Sequence, residues 1–145
     1  MIIKVNIKKI KIKNLNNNIF IYWATGYDKA PELVKICVNN AKKLYGHEYN
    51  INLITDENIK DYVTLDEKIW TYYKNGKITV QTFSDIVRFN LLYKYGGCWF
   101  DSTLLMLKKF PLIELIHKYG FYSLKHESNF FKNVHDVTWT TYFLC

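Results

Sequence analysis

Arginine is almost missing from this chain: of its 20 basic side chains, 19 are lysine and one is arginine, Arg88. Cysteine is scarce too. Cys37, Cys98 and Cys145 are odd in number and far apart, with no CxxC pair. That pattern gives no disulfide framework and no zinc ribbon, and it points to a reducing, cytoplasmic setting. His47, His117, His126 and His135 lack HExxH-type spacing, which argues against a zinc site. Proline occurs only at Pro31 and Pro111, and glycine is sparse, so collagen-like and low-complexity classes are excluded. No apolar run approaches the ~18 residues of a membrane-spanning helix. No GxSxG, Walker A or GxGxxG motif is present, against serine hydrolase, P-loop and Rossmann oxidoreductase readings. There is no N-x-S/T sequon.

The chain is 49% apolar and 17% aromatic over 145 residues, enough for one globular domain with its own core. A formal charge of +7 admits nucleic acid, a membrane surface or a small anionic ligand as partner. The excess is a bias toward Lys, Asn and Ile of the kind an AT-rich genome produces, so it is a poor guide to a polyanion. No RNP, helix-turn-helix or zinc motif supports nucleic-acid binding. Against that lysine background Arg88 stands out, because a planar guanidinium grips phosphate or carboxylate with two prongs.

Residues 1–18 form a basic segment in which Ile3, Val5 and Ile7 alternate with Lys4 and Asn6. Lysines break every apolar stretch, so it does not read as a signal peptide. It reads as a solvated edge strand or tail, with weak peripheral membrane contact as the alternative. Asn16 to Asn18 read as a turn. Residues 19–145 read as a single domain. Ile19–Trp23 is a strand, Ala24–Ala30 a loop and Pro31–Tyr45 a helix stopped by Gly46. Tyr49–Thr55 is a second strand, with Asp56 placed to cap a short helix ending at Tyr62. Leu65–Lys74 is another short helix. Thr79 opens the main helix, which Gly96 ends and whose apolar positions make it largely buried. Cys98–Asp101 and Leu104–Leu107 read as strands, Pro111–Tyr119 as a helix and Phe121–Lys125 as a strand. Alternating strands and helices predict an α/β fold with a mostly parallel sheet. Ligands of such sheets sit beyond the carboxyl ends of strands, where Trp23 and Asp101 fall. The chain closes inside the apolar run Thr140–Cys145, which reads as a domain truncated at its C-terminus.

The chemistry concentrates between Phe83 and Thr103. Asp85 and Arg88 share a helical face at i, i+3. They either bridge one another or together engage a ligand. Gly96-Gly97 permits a sharp turn and close approach of a ligand. Asp101 after an apolar run can hold a divalent cation or cap local amides, and Ser102 and Thr103 add hydroxyls. Trp23 can stack on a nucleobase or pack in the core.

These residues carry a specific resemblance when taken in order. The segment Ile19-Phe20-Ile21-Tyr22-Trp23-Ala24-Thr25-Gly26 is followed by Ala30-Pro31 and Asn75-Gly76-Lys77-Ile78. Then come Ser84-Asp85-Ile86-Val87-Arg88 and Tyr95-Gly96-Gly97-Cys98-Trp99-Phe100-Asp101-Ser102-Thr103. From about Ile19 to Pro111, and again at Trp139 to Phe143, this order resembles the capsular polysaccharide synthesis family of glycosyltransferases with a DxD sugar-binding element. The resemblance implies a GT-A type, Rossmann-like fold and sugar transfer from a nucleotide donor, UDP-sugar favoured, to a glycan acceptor. It places Trp23 at the nucleobase and Asp85 and Arg88 at the donor sugar and diphosphate. Gly96 and Gly97 belong to the same donor-binding set. Asp101 becomes the first DxD residue and a ligand of Mn²⁺ or Mg²⁺, with Ser102 and Thr103 in the remaining places. The missing last Asp departs from the strict element. The short length leaves a second expectation open: an inactive module that only binds a sugar nucleotide or a partner chain.

Overall fold

The computed structural model describes residues 17–120, 122–125 and 139–145; the expectations for residues 1–16, including the basic strand or tail, lie outside them. In chain order the elements are β1 (Asn18–Tyr22), α1 (Glu32–Tyr45), β2 (Asn50–Ile54), α2 (Ile59–Tyr62) and α3 (Glu67–Lys74). They continue with α4 (Val80–Tyr95), β3 (Cys98–Phe100), α5 (Leu112–Tyr119), β4 (Ser123–Lys125) and β5 (Trp139–Leu144). Among the described residues the strands form one five-stranded sheet in the order β2-β1-β3-β5-β4. β1 pairs in parallel with β2 and β3, while β5 is antiparallel to both β3 and β4. Four strands therefore share a direction and β5 alone runs against them, which makes the sheet mostly parallel, as expected.

Strand alternation sorts the core onto two faces. Ile19, Ile21, Cys98 and Phe100 point toward α1 and α5, packing with Val34, Val38, Ala41, Tyr45, Leu112 and Ile116. Phe20, Tyr22 and Trp99 point the other way, toward α3 and α4, against Trp70, Phe83, Val87 and Leu91. β1 and β3 are buried on both faces, which is why they read as unbroken apolar runs.

Local chemistry sets the helix starts. The Thr79 hydroxyl accepts from Thr82 N at 3.1 Å and the Asp66 carboxylate from Lys68 N at 2.7 Å, so α4 and α3 begin with side-chain caps. Asp56 was the expected cap of α2, and here the structure differs. α2 has no side-chain cap, and Thr55 Oγ1 accepts from Glu57 N and Asn58 N in the turn before it. Asp56 is drawn to two tyrosine hydroxyls that sequence spacing does not reveal. Its Oδ1 accepts from Tyr22 at 2.6 Å and its Oδ2 from Tyr73 at 3.0 Å. Burial first, and then the hydrogen bond to Asp56, push the Tyr22 phenol far above its ordinary range, so it stays a protonated donor.

Three further expectations are corrected. Leu104–Leu107 is not a strand: Leu104 N turns back onto Asp101 O, Met106 N bonds the Asn40 side chain, and Leu107 is exposed. The main helix is buried on one side only, since Phe89 and Tyr93 of α4 face solvent. Finally, Cys98 and Cys145 are joined in a disulfide across a sequence separation of 47. The β3–β5 register pairs Trp99 with Leu144, which brings the two cysteines opposite each other, with Cα atoms 4.1 Å apart. No spacing rule shows a pair that only an antiparallel crossing creates. Cys37 is free and buried. Among the described residues no helix is long and apolar enough to cross a membrane.

Two outcomes follow from this packing. Phe83 is fully buried, stacked on Tyr73 at 4.0 Å with Trp70 at 5.0 Å. Phe83→Ala should cost about 3–5 kcal/mol in urea unfolding. A loss under ~1 kcal/mol would contradict this core. Cys145→Ser, or a reductant, should lower unfolding stability by up to about 4 kcal/mol, the chain-entropy value for a loop of 47 residues. Identical curves with and without reductant would show that the pair does not form.

Candidate functional site

The two faces of the sheet also arrange the polar residues. Because side chains alternate, Asp101 falls on the same side of the sheet as Trp99, the side that α4 covers. Arg88 lies on the buried stripe of α4 with Phe83, Val87 and Leu91, and it is only 3% exposed. The helix thus carries one cation inward to meet the end of β3. Gly96 (φ 64°) and Gly97 (φ 85°) turn the chain from α4 into β3, in a backbone region where a side chain is strained. Their contribution is this turn, and they do not line the cleft.

Arg88 is held from three sides. Its Nη2 donates to Asp101 Oδ1 at 2.9 Å. Its Nη1 lies 2.9 Å from Asp85 Oδ1. Its guanidinium stands 4.9 Å over the Trp99 ring. The Asp85 contact is an ion pair by distance without hydrogen-bond alignment, so Nη1 and Nε are both buried donors without an acceptor among the described residues. Unpaired buried donors are costly, and a charged one more so. Trp99 Nε1 donates to the same Asp101 Oδ1 at 2.6 Å. That oxygen therefore receives two donors, while Oδ2 receives none among the described residues.

A cleft of about 500 Å³ opens over this group. Of the residues singled out from sequence, Trp23, Asp85, Arg88, Asp101, Ser102 and Thr103 line it together. They come from the ends of β1 and β3 and from α4, 78 positions apart between Trp23 and Asp101. The size suits a ligand of nucleotide scale. Trp23 is fixed at its rim by Trp23 N donating to Ile54 O and Asp56 N donating to Ala24 O, both at the end of β2. Asp85 is about half exposed and Asp101 a third exposed, so both carboxylates face the cleft while Arg88 lies beneath them.

Sequence reasoning missed Trp99, Gln81 and Val80 as cleft residues. Gln81 follows the helical spacing that leads through Ser84 and Asp85 to Arg88, a signal that could have found it. Trp99 reads as core from sequence, and its core burial is real; its indole N–H is what gives it a second part. Among the described residues no three or more His, Cys, Asp or Glu side chains cluster as a protein-only metal site. The donor set does fit a hard cation shared with a ligand. Asp101 offers a free oxygen, and Mg²⁺-type ions take one or two carboxylates together with substrate phosphates.

Comparison with known proteins gives the family. The model of the capsular polysaccharide synthesis protein family matches residues 1–145. The chain is 22% identical over 107 residues to O-glycosyltransferase PaGT of Phomopsis amygdali, covering 68% of this chain and 26% of that protein. It is 25% identical over 101 residues to O-glycosyltransferase braB of Annulohypoxylon truncatum, covering 64% of this chain and 24% of that protein. The chain spans about a quarter of the length of the curated relatives it matches. No solved structure matches it. With a family match along its full length, this chain belongs to the capsular polysaccharide synthesis protein family.

Proposed function

We propose that the chain carries the donor site of a GT-A type glycosyltransferase, which moves a sugar from a nucleotide-sugar, UDP-sugar favoured, to a glycan acceptor in surface polysaccharide synthesis. One observation carries this reading: a guanidinium only 3% exposed, whose Nε and Nη1 make no aligned hydrogen bond among the described residues, lies under a cleft flanked by two carboxylates. A diphosphate supplies the acceptors that Arg88 lacks, and a sugar supplies hydroxyls for the carboxylates.

The roles follow from position. Trp23 at the rim offers a flat face to the nucleobase. Asp85, the more exposed carboxylate, receives sugar hydroxyls. Arg88 faces the diphosphate, and Ser102 and Thr103 donate to its oxygens. In transfer, the bond from the anomeric carbon to the distal phosphate oxygen breaks and the acceptor hydroxyl oxygen takes its place, its proton being released to solvent. Negative charge then grows on the departing nucleoside diphosphate. A cation fixed beforehand in a low-dielectric floor stabilises that charge without reorganising. Asp101 would hold Mn²⁺ or Mg²⁺ through Oδ2, and such an ion, when bound, neutralises the diphosphate as a Lewis acid. Binding of the donor without transfer is the second reading.

Thermal shifts with a panel of UDP-, GDP- and CDP-sugars, with and without Mn²⁺, test the donor site. One nucleotide should raise Tm, and Asp101→Asn should shrink that rise and abolish sugar transfer. Wild-type turnover in Asp101→Asn would sink the assignment, and binding without turnover in the parent chain would select the second reading. Arg88→Lys keeps the charge but loses the planar fork. Donor affinity should fall at least ~10-fold, about 1.4 kcal/mol. Unchanged affinity would remove Arg88 from the diphosphate.

A further inference from the structure

The geometry points to Trp99 as a positioning residue that sets the rotation of the Asp101 carboxylate, so that Oδ2 alone is presented to the cleft. This role rests on the nucleotide-sugar reading above and deepens it. The indole N–H lies 2.6 Å from Asp101 Oδ1, and Arg88 Nη2 lies 2.9 Å from the same oxygen. Two donors converging on one oxygen hold a carboxylate about its terminal torsion, which is otherwise broad and roughly two-fold. Trp99 is itself immobile. It is 1% exposed and sits between Leu144 on the neighbouring strand and the α4 stripe. The same ring also carries the Arg88 guanidinium on its face at 4.9 Å. One side chain therefore orients both the anion and the cation of the floor: the first by its edge, the second by its face.

A residue whose only task is to fill the core needs the ring and not its N–H. Any large aromatic fills the volume, whereas Asp101 needs an edge donor at that spot. Separating the two parts of Trp99 is then a matter of chemistry. Trp99→Phe keeps a flat face under Arg88 and deletes the donor. Trp99→Leu deletes both.

The test is a double-mutant cycle between Trp99→Phe and Asp101→Asn, read as affinity for the nucleotide-sugar identified by thermal shift, at saturating Mg²⁺. Trp99→Phe should weaken donor affinity roughly 10- to 100-fold, the worth of one hydrogen bond to a charged group. In the Asp101→Asn background the same change should have little further effect, because the group being positioned is gone. Equal losses in both backgrounds would mean that Trp99 acts through packing alone and would overturn the role. A donor-free measurement keeps the two proposals apart. In the ¹⁵N spectrum of the free protein, the Trp99 indole N–H, assigned by its loss in Trp99→Phe, should be protected from solvent exchange. Asp101→Ala, which removes the acceptor oxygen, should shift it and expose it. An indole signal indifferent to Asp101→Ala overturns the positioning role even if every donor binds. If no donor binds the parent chain but the indole responds, the nucleotide-sugar reading falls while the Trp99–Asp101 coupling stands.

Discussion

A single buried guanidinium governs the site. A charge at 3% exposure is tolerated only where carboxylates and hydrogen bonds surround it. Here Asp101 meets that demand through a hydrogen bond, Asp85 through charge, and the Trp99 face through its π-system. The demand is not fully met, because two N–H groups remain without acceptors among the described residues. A protein that needed only stability would do as well with an apolar side chain at that point in α4. Incomplete pairing beneath an open cleft is the expected condition of a group whose last partner is a ligand.

The rest of the fold brings this cation and its carboxylates together. The sheet buries β1 and β3 on both faces, which fixes their register, since a slip by one residue would exchange the two cores. Register decides that Trp99 and Asp101 face α4 and that Phe100 faces α1. The Gly96-Gly97 turn leads from α4 directly into β3, and Arg88 is left facing the strand's end. β5 then closes the open side of β3 in the antiparallel sense, and the Cys98–Cys145 link ties the two strands together next to Trp99.

A second polar cluster shows how a satisfied group differs from an open one. Asp56 receives the hydroxyls of Tyr22 and Tyr73, one on each oxygen, and Tyr73 is stacked flat on Phe83. Both oxygens are used, and Tyr73 stays out of the cleft lining. This cluster secures the ends of β1 and β2 and, through them, the rim that carries Trp23. Asp101 is its opposite, with both donors on one oxygen and the other presented.

Much of this was legible in the chain. The α/β order, the capping Thr79, the stop at Gly96 and the strand ends at Trp23 and Asp101 all follow from short-range rules of spacing, capping and turn chemistry. Those rules act over a few residues, which is as far as one sequence reports directly. The motif Ser84-Asp85-Ile86-Val87-Arg88 also placed an acid and a base on one helical face, because a helix repeats every 3.6 residues. What lay beyond reach were contacts made across the sheet. Asp56 went to two distant tyrosines in place of a helix cap, Leu104–Leu107 found no strand to pair with, and Cys98 met Cys145. The indole of Trp99 also became a donor to Asp101. By itself the sequence determined most of the elements, though not β5 or the loop at Leu104–Leu107, and which residues are chemically able to build a site. Only the tertiary structure decided which partner each polar group takes, because that choice depends on strand register and burial, and both are properties of the packed sheet.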